Sequence, residues 1–93
     1  KELIQESCEA AKLLKTLAHP VRLQILCHLA DGKKNVGELV GCCGSSQSLM
    51  SQFLGRMKLE GIIDAERDGQ FTSYFIVDAR TKELLKTLCR LFC

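Results

Sequence analysis

NVGELVGCCGSSQSLMSQFLGRMKLEG, residues 35–61, reads as two helices joined by a small glycine-containing turn, the sequence shape of a helix-turn-helix. Asn35 and Glu38 have the spacing of a capping box, which opens a short helix through Val36, Leu39 and Val40. Residues 41–44 interrupt that helix. Ser45 or Ser46 then caps the next one, and Gly61 closes it. On this second helix Leu49, Met50, Phe53, Leu54 and Met57 share a side, as burial demands. Ser46, Gln47, Ser48, Ser51, Gln52, Gly55 and Arg56 take the other. Short polar side chains of this kind suit a DNA groove. Glutamine pairs with adenine, serine adapts to bases or phosphates, arginine reaches guanine or phosphate, and Gly55 leaves room for close approach.

Upstream, Leu3, Ile4, Ala11, Leu14 and Leu17 recur at helical intervals and predict an amphipathic helix over 2–17. Pro20 suits the first turn of another helix, where its missing N–H costs nothing. Val21, Ile25, Leu26 and Leu29 belong to that helix, which Asp31-Gly32 should end with a left-handed cap. Downstream of Gly61 the period changes. Residues 62–67 and 71–77 read as strands, with Asp68-Gly69 as the hairpin signal between them. In the second strand Ser73, Phe75 and Val77 share one face, and Thr72, Tyr74 and Ile76 the other. Arg67, Gln70 and Thr72 surround an exposed tip able to lie along DNA backbone or minor groove. Asp78 can cap a last helix, whose apolar stripe is Leu84, Leu85, Leu88, Leu91 and Phe92. The expected fold is mainly α with a β-hairpin: four helices, two strands, one helix.

Ninety-three residues leave room for one core only, so residues 1–93 are read as a single domain. With 46% hydrophobic and 26% charged residues the chain is of ordinary globular type. No apolar run approaches the roughly 18 residues of a membrane span, and no signal-like segment opens the chain, so no membrane partner is expected. The start at Lys1 rather than Met is what a trimmed fragment would show. A net charge of +2 is too mild to argue for nucleic acid alone, so any basic footprint must come from clustering or dimerisation.

The six cysteines lack a CxxC…CxxC or CxxC…HxxxH frame, so neither a structural zinc nor any other cofactor is expected. Regular helical periodicity makes disulfides unnecessary for folding, and the chain reads as cytoplasmic with mostly reduced thiols. It does not read as an enzyme. A thiol oxidoreductase would show CxxC at a helix start after a strand, and a thiol hydrolase would bring Cys, His and an orienting Asn or Asp together. Cys27 and His28 are helix neighbours and point apart.

Four strings, LLKTLAHPVRLQIL (13–26), NVGEL (35–39), SSQSLMSQFLGRMKLEGII (45–63) and RDGQFTSYFI (67–76), resemble in register the ArsR/SmtB family of winged-helix repressors. The resemblance covers nearly the whole chain. It implies a winged helix-turn-helix serving both DNA binding and dimerisation. It further implies a homodimer paired through the first and last helices, with a recognition helix of each subunit in the major groove of palindromic double-stranded operator DNA. Two-fold symmetry would double the modest charge. A non-catalytic winged helix for protein interaction is the alternative of a different class, although it would not need a Ser/Gln/Arg face.

Family members often sense metals. One arsenic- and cadmium-sensing type carries Cys-x-Cys in the third helix, where this chain reads NVGEL without a thiol. A zinc-sensing type uses Asp and His pairs along the last helix, where Thr81, Lys86 and Arg90 stand here. The chain instead resembles the dithiol branch of BigR, SqrR and HlyU type, which responds to persulfides and related oxidants. That branch carries one cysteine in a string like RLQILC and one near the chain end. RLQILC here ends at Cys27, and CRLFC ends at Cys93. The resemblance thus implies that a persulfide or other reactive sulfur inducer bridges Cys27 and Cys93 and releases the operator. A direct disulfide needs Cα atoms within about 7 Å, whereas inserted sulfur spans wider gaps. The alternative is an As(III)- or soft-metal-responsive repressor using Cys27, Cys89 and Cys93. The plain reading of each is a small core hydrophobe. Arg22, His28 or Arg90, if close, would lower a thiol pKa. Cys8 is expected near the dimer seam, Cys42 and Cys43 in the turn before the recognition helix, His19 in a structural role and His28 in solvent.

Overall fold

A computed structural model describes residues 2–92. Cys93 lies outside the described residues. Five helices and a three-stranded sheet follow one another as α1 (Glu2–Leu17), α2 (Pro20–Ala30), β1 (Lys34–Asn35), α3 (Val36–Cys43), α4 (Gln47–Leu59), β2 (Ile63–Asp68), β3 (Phe71–Ile76) and α5 (Ala79–Phe92). The order agrees with the winged-helix expectation except for β1, a strand of two residues that carries no periodicity.

Side-chain chemistry fixes the helix starts. His19 stands before Pro20 in extended conformation, and its Nδ1 accepts the Val21 N–H at 3.2 Å. Asn35 Oδ1 accepts the Glu38 N–H at 2.9 Å, and the Glu38 carboxylate accepts the Asn35 N–H at 2.9 Å, a reciprocal capping box. Ser46, rather than Ser45, caps α4: its Oγ accepts the Leu49 N–H at 3.1 Å. Helix α3 runs past Gly41 because the stop signal is Gly44, left-handed at φ 67°, whose N–H donates to the Val40 carbonyl. Cys42 and Cys43 therefore occupy the last turn of α3, not the connecting turn. Ahead of α5, Asp78 accepts the Thr81 hydroxyl at 2.7 Å, which with the Arg80 backbone N–H holds its carboxyl below the usual range.

Strands β2 and β3 pair antiparallel from Ile63↔Ile76 to Asp68↔Phe71. The two-residue loop is Gly69-Gln70, one residue beyond the expected Asp68-Gly69. Gly69 alone takes positive φ there, as a type II′ loop with glycine first requires. On the far side of β3, Lys34 pairs with Tyr74 and Asn35 with Ser73. A two-residue strand forms because β3 otherwise presents an unpaired edge.

Ile25, Leu26, Leu39, Met50, Leu54, Met57, Ile63 and Leu85 make a fully buried core between α2, α3, α4, α5 and the sheet. Ile76 is buried with them and Tyr74 packs against them, so the Thr72, Tyr74 and Ile76 face is the one that turns inward. Leu49 stays 41% exposed, contrary to its expected burial. The larger departure is at the chain ends. Leu3, Ile4 and Leu14 of α1, and Leu91 and Phe92 of α5, lie in water. Their stripes are apolar, as read, but the subunit alone does not cover them. Among the described residues no helix is long and apolar enough to cross a membrane.

Candidate DNA interface and thiol sites

Helix α4 sits on the core through Met50, Leu54 and Met57, so its opposite side must face solvent. Ser46, Gln47, Ser48, Ser51, Gln52, Gly55 and Arg56 are all exposed, in one continuous polar arc. Two of them are already engaged. Ser46 Oγ accepts its cap bond, and Arg56 Nε donates to Glu60 Oε2 at 3.2 Å. Leu59, 88% exposed, extends the arc with an apolar side chain at its C-terminal end.

Phe53 fixes how α4 meets α2. The His19 ring lies 4.9 Å from the Phe53 ring, tilted by 56°, and the Arg22 guanidinium stands 5.9 Å from its centroid. The AHPVR segment thus has a structural use at both of its polar residues: one caps α2, and both flank the aromatic anchor of α4. This agrees with the structural role expected for His19.

The hairpin brings Arg67 opposite Thr72, with Gln70 exposed in the loop. Arg67 Nε donates to the Gly69 carbonyl at 3.1 Å, which ties the side chain to the tip. Thr72 is half-buried. Lys33 Nζ reaches Glu66 Oε1 at 2.7 Å, joining the segment before β1 to the outer strand. Arg67 and Gln70 are therefore exposed at the tip, whereas Thr72, level with Arg67 in the register, is half-buried.

Cys27 is exposed on α2. Partial burial first, then Cys89 and Asp31, push its thiol pKa up. Arg22, His28 and Arg90, which would lower a thiol pKa if close, are not among the groups that shift this sulfur. His28 is half-buried rather than fully solvated. Cys89 on α5 is exposed and is an electrostatic neighbour of Cys27, so α2 and α5 bring two thiols together. The position of Cys93 relative to them lies outside the described residues. Cys8 is exposed on α1, and Cys43 is half-buried, its thiol pKa raised by burial and by Cys42. No three His, Cys, Asp or Glu side chains among the described residues converge as a metal set.

Residues 19–65, the span from the α2 cap to β2, match the family described as bacterial regulatory protein, arsR family. The chain belongs to the arsR family. It is 37% identical over 93 residues to the biofilm growth-associated repressor of Xylella fastidiosa, which covers 100% of this chain and 82% of that protein. It is 36% identical to the transcriptional activator HlyU of Vibrio cholerae, covering 100% of this chain and 86% of that one. The crystal structure of the repressor BigR from Xylella fastidiosa superposes with a TM-score of 0.91 over 99% of this chain and 94% of that one. Reduced HlyU from Vibrio cholerae gives 0.94 over 99% and 97%. A homodimeric winged helix-turn-helix DNA-binding domain from Mycobacterium bovis gives 0.81 at 26% identity, over 98% and 84%.

This arsR-family chain is a DNA-binding transcriptional regulator, and α3–α4 with the β2–β3 wing are its helix-turn-helix and wing. The nearness of Cys89 to Cys27 agrees with the grouping of these two thiols in the soft-metal alternative. One feature escaped the sequence reading: Glu60, whose four-residue spacing from Arg56 was legible as a helical ion pair but whose tertiary partner was not.

Proposed function

We propose that this arsR-family regulator acts as a homodimeric repressor over residues 1–93, with α4 in the major groove and the hairpin tip along the neighbouring backbone. The observation that carries this reading is the unbroken exposed arc of Ser46, Gln47, Ser48, Ser51, Gln52 and Arg56 on a helix whose other side is locked into the core. Arg67, Gln70 and Thr72 supply the wing contacts. The open apolar stripes of α1 and α5 support pairing of two subunits, as does the homodimeric Mycobacterium bovis neighbour.

Release of DNA follows from sulfur chemistry at Cys27 and Cys93, in the cytoplasm. The Cys27 thiolate attacks the sulfane sulfur of a persulfide RSSH, giving Cys27–SSH and RS⁻. The Cys93 thiolate then attacks the Cys27 sulfur and expels HS⁻, leaving a disulfide. A second round of sulfur transfer before closure inserts one sulfur atom into the bridge. The persulfide is the oxidant throughout. A coupling of about 1–3 kcal/mol between bridge and operator corresponds to about 5- to 150-fold weaker binding.

Mass spectrometry after persulfide treatment tests this directly: a Cys27–Cys93 bridge carrying added sulfur masses is expected, and Cys27→Ser should not respond to the inducer. Normal release of DNA by Cys27→Ser would refute the latch. A second reading, an As(III)- or soft-metal-responsive repressor, is favoured by the closeness of Cys89 to Cys27. It predicts thiolate-to-metal absorption on adding As(III), lost in Cys89→Ser.

A further inference from the structure

Glu60, the residue that ends α4, holds two partners at once. Its Oε2 accepts from Arg56 Nε at 3.2 Å on the same helix. Its Oε1 accepts from the Thr16 hydroxyl at 3.2 Å, across a separation of 44 residues to α1. Thr16 is buried, at 5% exposure, so the anchor sits in the packed part of α1; its one hydroxyl proton lies nearer to Glu60 than to the Lys12 carbonyl, which is the alternative acceptor at 3.4 Å. The Glu60 side chain is 32% exposed while that of Arg56 is 71% exposed. The carboxylate is therefore the seated member of the pair and the guanidinium the mobile one. All three residues line a groove of about 570 Å³ bordered by α1, α4 and the start of α5.

Arg56 stands at the edge of the polar arc of α4. Its charge is answered within the protein before any phosphate arrives. A phosphate must either displace the Glu60 carboxylate or share the guanidinium with it, and the unreleased carboxylate repels the phosphate as well.

We infer that Glu60 is a positioning residue that holds Arg56 off the DNA backbone, and that its hydrogen bond from Thr16 makes this hold depend on where α1 lies. The inference rests on the reading of α4 as the recognition helix. It assigns to Thr16 and Glu60 a restraint on DNA affinity that neither residue type would suggest alone. When α1 shifts, Glu60 loses its anchor, and Arg56 becomes available to phosphate. The link runs from the helix with the open apolar face to one edge of the DNA face, through two hydrogen bonds.

The test is a salt titration of binding to a duplex of about 30 base pairs of mixed sequence, followed by fluorescence anisotropy from about 50 to 200 mM salt. Glu60→Gln keeps the size and the acceptor for Thr16 but removes the charge. An exposed helical ion pair is worth a factor of about two, so Glu60→Gln should tighten binding about twofold per docked subunit, about fourfold for a dimer. The slope of log affinity against log salt should steepen by about 0.9 for each arginine released. Thr16→Val keeps both charges and removes only the anchor; it should give part of the same gain, with far-UV circular dichroism unchanged. In the Arg56→Ala background both gains should vanish. A gain from Glu60→Gln that survives in Arg56→Ala would mean generic charge removal and would overturn the inference while leaving the recognition helix in place. Unchanged affinity and slope in Glu60→Gln and Thr16→Val, with Arg56→Ala still weakening binding, would overturn it in the same way. If Arg56→Ala itself leaves affinity and slope unchanged, both the inference and the placing of Arg56 on the DNA face fall.

Discussion

Leu14 offers the sharpest test of how two subunits pair. It lies near the end of α1, 55% exposed in the single chain, on the same helix as Leu3 and Ile4 at 73% and 71%. Leu91 and Phe92 leave a matching apolar end on α5 at 69% and 83%. Fully burying a leucine side chain is worth about 1.5–3 kcal/mol, so covering the open half of Leu14 contributes about 1–1.5 kcal/mol per subunit. Leu14→Glu removes that contribution twice in a two-fold dimer, about 2–3 kcal/mol in all, before any cost of desolvating the new carboxylates. The dimer dissociation constant should therefore rise at least about 30- to 150-fold. Because the side chain is largely in water within one chain, the fold should survive, and an unchanged far-UV circular dichroism spectrum checks this. Sedimentation velocity over a range of concentrations reads the change in association. Sedimentation of Leu14→Glu identical to that of the parent protein at every concentration would show that α1 does not face the partner, and the proposed pairing would be wrong.

Two further outcomes follow from local chemistry. Asn35→Ala removes one half of the α3 capping box and should cost about 1 kcal/mol, seen in thermal unfolding as a fall of about 4–8 °C; an unshifted melting curve would mean that Glu38 alone secures the helix start. The Cys27 thiol pKa is raised by burial first, then by Cys89 and Asp31, so its alkylation by iodoacetamide should lag behind that of an ordinary exposed thiol and accelerate as pH rises. The same shift favours the folded state below the unfolded-chain thiol pKa, and that advantage is lost as pH rises through the folded-state value. Rapid labelling at pH 6, assigned to Cys27 by peptide mapping, would contradict this order.

What was legible in the chain was chiefly end chemistry and period. Asn35 with Glu38, Pro20, Ser46 and Gly61 each act through groups within a few residues, so their outcome needs no tertiary knowledge. The polar arc of α4 was legible for the same reason: a fixed helical period places Gln47 and Gln52 once Met50 and Leu54 are known to be inside. Other features depended on partners far along the chain. Strand β1 exists only because β3 has an edge to offer Lys34 and Asn35. Gly41 reads as an interruption, yet helix α3 passes through it since the cap that decides the end is Gly44. The hairpin loop moved by one residue because the register follows the burial of Ile63 and Ile76, which sets Asp68 opposite Phe71. The direction of the Cys27 shift was only partly legible: Asp31 stands four residues further along, but the burial that leads the shift and the approach of Cys89 come from the fold.

The arrangement of α2 explains how an event at a thiol can reach the DNA face without a long chain of intermediates. Cys27 sits in the last part of an 11-residue helix, and His19 and Arg22 at its start flank Phe53 of α4. Such a helix spans about 16 Å and moves as a rod, so a displacement at one end appears at the other. Between them, Ile25 and Leu26 are fully buried against the core that also holds Met50 and Leu54, and close-packed interiors transmit strain instead of absorbing it. On the proposed reading, joining Cys27 to Cys93, the residue that follows α5 in sequence, pulls on this rod. Phe53 must follow or lose its contacts, and the polar arc one residue away at Gln52 turns with it. The Thr16–Glu60–Arg56 chain reaches the same helix from α1, at its C-terminal end. Helix α4 is thus held near its middle by α2 and at its end by α1, and on the same proposed reading a tilt between these two grips would change which of Gln52 and Arg56 meets the duplex.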